Sequence, residues 1–256
     1  MSEFSELYAE IIKTCFRESI SVELNRRLGQ VCTPGDAAKL VKRLLSLDTV
    51  DLEEDPGEGS DFHWRLRTSI SDALAAAGEI AVGPLLAVLE SSDGEAAQYA
   101  ARSLGRIRSR QAAGPILAKI RSASDHSARL FYITALGEIG ETRVIDSLLP
   151  YLQRSGDLNG GWLVRVTAEA LGKLGDPGVL GPLCTVLASD GSVFARLGAA
   201  EGLGLLGHAD ALPHLKRALG DSDHRVVEAA RESIEAIRRR NSDIDGQDGK
   251  DSEITG

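Results

Sequence analysis

The sequence predicts an all-α protein: a right-handed α-solenoid, or superhelix, of helical hairpins behind an N-terminal helical cap. The main observation is a motif, Ala-Leu-Gly-x-Leu/Ile-Gly, that returns about every thirty residues. Its clearest copies span 135–140, 170–175 and 202–207, and divergent copies span 73–78 and 103–108. Repeats of this length are typical of stacked arrays, in which each unit buries its apolar face against its neighbours.

The leucine of the motif sets the register of the repeats. The equivalent positions are Leu74, Leu104, Leu136, Leu171, Leu203 and Ile234. Each unit is predicted to contain a first helix that ends at the last glycine of the motif, because glycine accepts the left-handed conformation of a helix C-terminus. A turn follows, and then a second helix with an apolar residue eight positions after that glycine. These apolar residues are Leu86, Ile116, Leu148, Leu183 and Leu215.

Polar residues mark the start of the first helices. Aspartate is a favoured N-cap, and the candidates between units are Asp93, Asp125, Asp190 and Asp223. Arginine recurs near the helix starts, at Arg67, Arg129, Arg165 and Arg196. We interpret these arginines as bridges to carboxylates in the turns of neighbouring repeats, such as Glu141 or Asp176. A ligand-binding ladder is the alternative.

These observations divide the chain into four segments. Residues 1–47 form the N-terminal helical cap, with helices predicted within 4–28 and 35–47. Residues 48–61 form an acidic flexible loop. Residues 62–240 form the repeat solenoid, with five hairpins and a terminal helix over about 223–239. Residues 241–256 are rich in Asp, Ser and Gly and are predicted to be a disordered acidic tail.

The negative charge of the chain is concentrated in two of these segments. The net charge is -9. Residues 48–61 contribute seven negative charges and residues 241–256 contribute a net of four, which leaves the rest of the chain at about +2. A nearly neutral body argues against the broadly basic face that a nucleic-acid-binding solenoid presents.

The sequence contains no recognisable catalytic or metal-binding motif. The five histidines form no i,i+3 or i,i+4 pair, and the three cysteines have no metal or redox spacing. We therefore expect no catalytic residue, no metal and no cofactor. Neither a secretion signal nor a membrane span is evident, and free thiols suit a reducing compartment, so a cytoplasmic location is predicted.

Six residues are candidates for contact with a partner: Arg102, Arg106, Lys119, Arg121, Trp64 and Trp162. The four basic residues belong to the stretch 102–129, which holds seven basic side chains and one acidic one. They are predicted to form a patch for an anionic partner, with an ordinary solvated face as the alternative. The two tryptophans stand near the start of first helices. Tryptophan is enriched at interface hot spots, and packing within its own repeat is the alternative.

The thirty-residue period, the repeated motif and the Gly175-Asp176-Pro177 turn before an apolar second helix resemble the HEAT repeats, over about residues 62–240. In particular they resemble the short HEAT-like repeats of phycobilisome lyase subunits and of bacterial scaffold proteins. The resemblance implies an interaction role, chromophore attachment or phycobilisome turnover. HEAT-type deoxyhypusine hydroxylases are built on His-Glu pairs, and no histidine of this chain is followed by glutamate.

The predicted function is a non-catalytic protein–protein interaction scaffold or adaptor, whose second helices line a concave binding face. The expected partner is another protein, and the resemblance makes a phycobiliprotein one candidate. No membrane partner is expected. Two alternatives stay open. One is a phycobilin lyase subunit or phycobilisome turnover factor. The other is a nucleic-acid-binding protein that uses the basic stretch 102–129.

Overall fold

The computed structural model describes residues 2–16, 21–47, 59–153, 158–189 and 191–251, without the side chains of 15–16, 59–61, 158–159, 189 and 242–251. Within these ranges the regular structure consists of fourteen α-helices and short 3₁₀ turns, with no β-strand. The chain forms two compact units, Met1–Ile139 and Gly140–Gly256. The predicted all-α solenoid class is confirmed, because helices equivalent in successive repeats pack on one another within each unit.

The first unit contains eight helices. They are α1 (Glu3–Phe16), α2 (Val22–Gln30), α3 (Pro34–Ser46), α4 (Gly59–Ala77), α5 (Glu79–Ser91), α6 (Glu95–Ile107), α7 (Ala113–Ser122) and α8 (His126–Ile139). The first helices α4, α6 and α8 pack one on the next, and the second helices α5 and α7 do the same. Helix α2 packs on α4 and α3 packs on α5. Helices α2 and α3 therefore extend the same stack.

The segment predicted as a cap thus contains one more hairpin of the repeat type, preceded by α1. Its signal in the sequence is the dipeptide Leu28-Gly29, a divergent copy of the motif. Helix α3 begins with a capping box, in which the Asp36 N–H donates to the Thr33 hydroxyl at 3.2 Å and the Thr33 N–H donates to the Asp36 carboxylate at 3.3 Å. Residues 48–58 of the predicted acidic loop lie outside the described residues, and α4 begins already at Gly59.

The second unit contains the other six helices. They are α9 (Ile145–Leu148), which continues as a 3₁₀ helix over Leu149–Gln153, α10 (Leu158–Leu174), α11 (Leu180–Ser189), α12 (Val193–Leu206), α13 (Leu212–Ala218) and α14 (His224–Asp251). The first helices α10, α12 and α14 stack in order, and α11 packs on α13.

Helix α14 is longer than predicted. The sequence placed its end at about 239 and a disordered tail after it, whereas the backbone stays helical to Asp251. The helix therefore ends later than the sequence placed it, the disorder of the tail stays a prediction, and 252–256 lie outside the described residues.

The last glycine of the motif ends the first helix, as predicted. Four copies have φ between +68° and +76°: Gly78, Gly140, Gly175 and Gly207. In the divergent copy 103–108, Arg108 occupies this position with φ +59°, and no other non-glycine residue of the described chain has a positive φ. A left-handed conformation is unfavourable for a residue with a Cβ.

The internal glycine of the motif has a different role, because it lies where the next first helix approaches. A Cβ at Gly172 would lie 2.2 Å from the carbonyl oxygen of Gly202. A Cβ at Gly105 would lie 2.9 Å from Cα of Ala135. Adjacent first helices therefore approach this closely only because the position has no side chain.

The motif leucines form the centre of each stack. Leu74, Leu104, Leu136, Leu171 and Leu203 have no exposed surface, and Ile234 is 6% exposed. The predicted second-helix positions are also fully buried, with one exception. Leu86 is half-buried, and Leu85 takes its place in the core. The register of α5 differs because α5 starts directly after Gly78, whereas a 3₁₀ turn precedes the second helices α7, α9, α11 and α13.

Candidate interaction surfaces

Three consecutive first helices of the second unit contribute to a surface group of two aromatic rings and two arginines. Trp162 of α10 and Phe194 of α12 are stacked, with ring centroids 4.6 Å apart and planes 25° apart. The guanidinium carbon of Arg165 lies 5.3 Å from the Trp162 ring centroid, and that of Arg225, from α14, lies 5.4 Å from the Phe194 centroid. We call these four side chains the aromatic row. Trp162 is still 41% exposed, so the row offers a rigid amphipathic surface.

Glycines on α10 and α12 allow the rings to stack. A Cβ at Gly161 would lie 2.2 Å from Oγ of Ser192, and a Cβ at Gly198 would lie 2.4 Å from Cα of Arg165. The N-terminal halves of the two helices are therefore held close together. Phe194 reaches Trp162 because of this approach.

Carboxylates hold both arginines of the row in place. Arg165 donates to Glu201 through Nε at 3.0 Å and Nη2 at 2.9 Å, and its Nε also lies 3.0 Å from an oxygen of Glu169. Arg225 donates to both oxygens of Asp223, at 3.1 and 3.0 Å. Bidentate pairs of this kind fix the plane of a guanidinium. The two cations therefore stay beside the rings.

Glu201 lies in an unusual electrostatic environment for a carboxylate. Burial, together with a hydrogen bond with Glu169, raises the pKa of Glu201 to about 7, although Arg165 acts in the opposite direction. The Arg165 guanidinium donates hydrogen bonds to both carboxylates, Glu169 and Glu201. Glu201 therefore retains a proton at a higher pH than an isolated glutamate does.

The predicted basic residues of α6 have an internal partner. Arg102 and Arg106 lie one turn apart, and both pair with Asp72 of α4, Arg102 at 2.7 Å. Asp72 is only 10% exposed. Two guanidiniums thus share one carboxylate between neighbouring first helices.

The predicted basic residues of α7 belong to a separate group. Lys119 Nζ donates to the carbonyl oxygen of Ser92 at 2.8 Å and to Asp93 at 2.6 Å, in the loop that precedes α6. Its side chain is 15% exposed. Arg121 is exposed near the end of α7. The structure therefore gives the α6 and α7 residues different partners rather than joining them through shared contacts.

The two predicted tryptophans lie in different units. Trp64, on α4 of the first unit, is 54% exposed, and Trp162 belongs to the aromatic row of the second unit. Sequence reasoning found Trp162 but missed Phe194 and Arg225. Their signal is positional, because both lie at the second residue of a first helix. Residues at equivalent places in stacked repeats become neighbours.

A family model for HEAT repeats matches residues 82–158 and 162–235, which together make up more than half of the chain. The chain belongs to the HEAT-repeat family. Among solved structures it is similar to human deoxyhypusine hydroxylase in complex with glycerol, at 13% identity over 81% of this chain and 100% of that one, with a TM-score of 0.30. It is also similar to an engineered protein, at 18% identity over 93% and 98%, with a TM-score of 0.41. Similarities at this level do not bear on function. No curated protein matches the chain.

Three of the four recurrent arginines of these HEAT repeats form structural bridges between repeats, as interpreted from the sequence, but not with the two carboxylates named as examples, Glu141 and Asp176. Arg67 pairs with Glu95 of α6 at 2.7 Å, and Arg165 and Arg196 pair with Glu201 and Asp221. Each of these bridges reaches the next first helix or the turn before it. Glu141 instead pairs with Arg143, and Asp176 accepts the N–H of Gly178.

Arg129 differs from the other recurrent arginines, because it donates to the carbonyl oxygen of Ala123 in the loop before its own helix.

Two of the predicted N-caps are confirmed. Asp125 accepts the N–H groups of Ser127 and Ala128, and Asp223 accepts that of Arg225. For α6 the prediction is wrong, since Gly94 rather than Asp93 is the N-cap. Asp190 lies outside the described residues.

Within the described residues, no group of three or more His, Cys, Asp or Glu side chains could hold a metal ion. No helix in this part of the chain is long and apolar enough to cross a bilayer. Burial raises the pKa of the Cys32 thiol to about 11 and also raises that of Cys184. Both cysteines are therefore protonated near neutral pH and pack as small apolar side chains.

Proposed function

We propose that this HEAT-repeat protein is a non-catalytic scaffold that binds another protein, with the aromatic row at the centre of the contact. The observation that supports this proposal is the exposed stack of Trp162 on Phe194, held between Arg165 and Arg225. Tryptophan and arginine carry much of the binding free energy at protein interfaces. Side chains that are already fixed lose little conformational entropy on binding.

The predicted basic contact residues that already form ion pairs should contribute less binding free energy than the aromatic row. Arg102 and Arg106 share Asp72, and Lys119 is largely buried against Ser92 and Asp93. A partner carboxylate would have to replace these existing ion pairs, and the exchange would contribute little net free energy. Arg121 and Trp64 are exposed. They remain a predicted second contact on the first unit.

The experiment compares two equally exposed apolar side chains. The full chain, Trp162→Ala and Leu219→Ala are used to capture proteins from cells that express the protein natively, since Trp162 and Leu219 are both 41% exposed. A captured protein is then purified and titrated against each variant. We expect Trp162→Ala to weaken binding about tenfold or more, because a hot-spot truncation exceeds about 1.4 kcal/mol, and Leu219→Ala to leave it nearly unchanged.

Trp64→Ala serves as a second comparison in the same titration. Equal binding by the full chain and Trp162→Ala, with a loss in Trp64→Ala, would reject the aromatic row and move the contact to the first unit. If Trp162→Ala and Trp64→Ala both bind the captured protein as tightly as the full chain does, neither tryptophan contributes to the contact, and the proposed binding surface is rejected.

The phycobilisome-lyase-like subtype, a phycobiliprotein partner and a cytoplasmic location stay predictions from the sequence. Incubating the full chain with a bilin and an apo-phycobiliprotein tests the first two. A covalent adduct that forms only in the presence of the chain would replace the non-catalytic proposal with a lyase activity.

A further inference from the structure

The second unit contains a cavity of about 470 Å³ between the second helices α11 and α13. Its apolar lining comes from Cys184, Leu187, Ala188 and Ala218. Its polar lining comes from Arg196, His214, Arg217, Asp221 and Ser222. The volume lies within the range of small-ligand sites. The cavity also lies on second helices, the elements that the sequence assigned to partner binding.

The one carboxylate that the described residues contribute to this lining, Asp221, already accepts hydrogen bonds from other groups of the protein. Asp221 receives two hydrogen bonds from Arg196, from Nε at 2.7 Å and Nη2 at 2.9 Å, and a third from the N–H of Asp223 at 2.9 Å. Arg196 holds the pKa of Asp221 below its ordinary value, so the carboxylate stays charged. The charge of Arg196 is therefore matched by Asp221 within the protein.

Three polar residues of the lining form no ion pair or hydrogen bond of this kind through their side chains to any described residue. His214 and Arg217 lie three residues apart on one face of α13, and Ser222 lies in the loop before α14. Within the described part of the chain, none of these three side chains has a hydrogen-bond or ion-pair partner. Arg217, His214 and Ser222 thus line one space. Arg217 and Ser222 are exposed and His214 is half-buried, so a group that accepts hydrogen bonds and carries negative charge would replace solvent around them.

We propose that the α11–α13 cavity binds the carboxylate side chain of an acidic segment in the partner protein. Arg217 would hold the carboxylate through two N–H groups, with Ser222 and His214 beside it. The methylene groups of the side chain and an apolar neighbour would pack on Leu187 and Ala218. This inference rests on the proposed function and adds the chemistry of the partner.

The charge of the cavity favours a carboxylate over a phosphate. Arg217 is the guanidinium of the lining whose charge no carboxylate of the described residues balances, and a single positive charge matches a single carboxylate. A phosphate carries more negative charge and is typically held by several cations or backbone N–H groups. The apolar half of the lining would also leave phosphate oxygens without donors.

The aromatic row and the cavity are connected by direct contacts. Asp221 contacts both Arg196 and the N–H of Asp223, and Asp223 holds Arg225 over the Phe194 ring. One extended segment of a partner could therefore contact both surfaces of the second unit. Its acidic residue would enter the cavity while an apolar or aromatic residue rests on Trp162.

The test uses two fluorescein-labelled peptides, Gly-Leu-Glu-Gly-Leu-Glu-Gly and its twin with glutamine in place of glutamate, and measures anisotropy with the full-length chain. We expect the glutamate peptide to bind about tenfold or more tightly than the glutamine peptide, because only the former makes a charge-assisted pair. Arg217→Gln should remove this preference. Arg231→Gln is the matched control, since Arg231 is exposed on α14, pairs with Glu228 and does not line the cavity.

Several results would overturn the carboxylate assignment. These are equal affinity for the two peptides, no binding of the glutamate peptide up to millimolar concentration, or an effect of Arg231→Gln as large as that of Arg217→Gln. A labelled ten-residue oligothymidylate is the competing probe. If it displaces the glutamate peptide at lower concentration, and Arg217→Gln weakens it, the cavity is a phosphate site instead.

The peptide titration and the capture experiment fail independently. A partner that requires Trp162, together with peptides that bind equally, would reject the cavity and keep the aromatic row. Selective glutamate binding through Arg217, together with a partner that ignores Trp162, would reject the row and keep the cavity.

Discussion

Arg196 of α12 holds Asp221, in the turn before α14, through two parallel hydrogen bonds of 2.7 and 2.9 Å. Both side chains are largely buried, at 14% and 11% exposure. The pair connects one first helix to the start of the next and forms a wall of the α11–α13 cavity. Its geometry and burial distinguish it from the exposed ion pairs of the same unit.

Arg196→Ala should therefore lower the free energy of unfolding by about 1.5–3 kcal/mol, because it leaves Asp221 without its charged partner. Arg231→Ala breaks the exposed pair with Glu228, whose side chains are 59% and 64% exposed, and should cost less than about 1 kcal/mol. Urea denaturation of both variants gives the comparison. Equal losses would mean that the Arg196–Asp221 pair has no special structural role.

The close approach of α10 to α12 makes a second prediction, based on two glycine-to-alanine changes. Gly172→Ala would place a Cβ 2.2 Å from the carbonyl oxygen of Gly202, and we expect a destabilisation of about 1–3 kcal/mol or more. Gly181→Ala, in α11, has nothing within 4 Å of the new Cβ. It should stabilise the protein by up to about 1 kcal/mol through helix propensity.

Thermal unfolding followed by circular dichroism separates the two glycine variants. The expected shifts in melting temperature have opposite signs. A Gly172→Ala variant whose melting temperature equals or exceeds that of the parent protein would show that α10 and α12 can move apart without a loss of stability.

The difference between these glycines shows what the sequence alone could and could not predict. The motif predicted the fold class, the buried leucines and the glycines with positive φ, because these follow from local periodicity and backbone conformation. It did not reveal that the internal glycine is a contact point between helices, or that Leu28-Gly29 marks another hairpin. Both facts depend on which helices become neighbours.

The candidate surfaces were predicted less well than the fold, for a similar reason. A count of charges grouped Arg102 and Lys119, which the fold gives to separate carboxylates, Asp72 and Asp93. Trp162 was found by its residue type, but its stacking on Phe194 connects positions 32 residues apart in sequence. Side-chain partners across repeats follow from the packing of helices, and a single sequence does not contain that information directly.

Arg108 provides a third prediction, on backbone conformation. It takes the left-handed region, with φ +59° and ψ +38°, at a position that is glycine in four other copies of the motif. Arg108→Gly should stabilise the protein by about 0.5–1 kcal/mol, because it removes the steric cost of the Cβ, less the entropy that glycine loses on folding. Arg110→Gly, two residues later with no such backbone requirement, should be neutral or destabilising. An Arg108→Gly variant with a lower urea midpoint than the parent would contradict this account.

The raised pKa of Glu201 predicts a dependence of stability on pH. Burial and Glu169 raise the pKa of Glu201 from 4.5 to about 7 in the folded chain. The folded state therefore binds more protons than the unfolded state between these two values, and the stabilisation present below pH 4.5 is lost as the pH rises through 7. Because Glu201 is partly exposed, the contribution should be about 1 kcal/mol or less. Glu201→Gln should flatten the decline over this range.

Asp223→Asn is the control for the pH series, since Arg225 lowers the pKa of Asp223 to about 2 and its carboxyl therefore titrates below this window. It should shift the stability curve by a constant amount between pH 4.5 and 7 and leave its slope unchanged. Urea midpoints for the parent protein and both variants at several pH values provide the test. If the parent and Glu201→Gln decline in parallel, Glu201 is ionised throughout and Arg165, rather than burial, controls its charge.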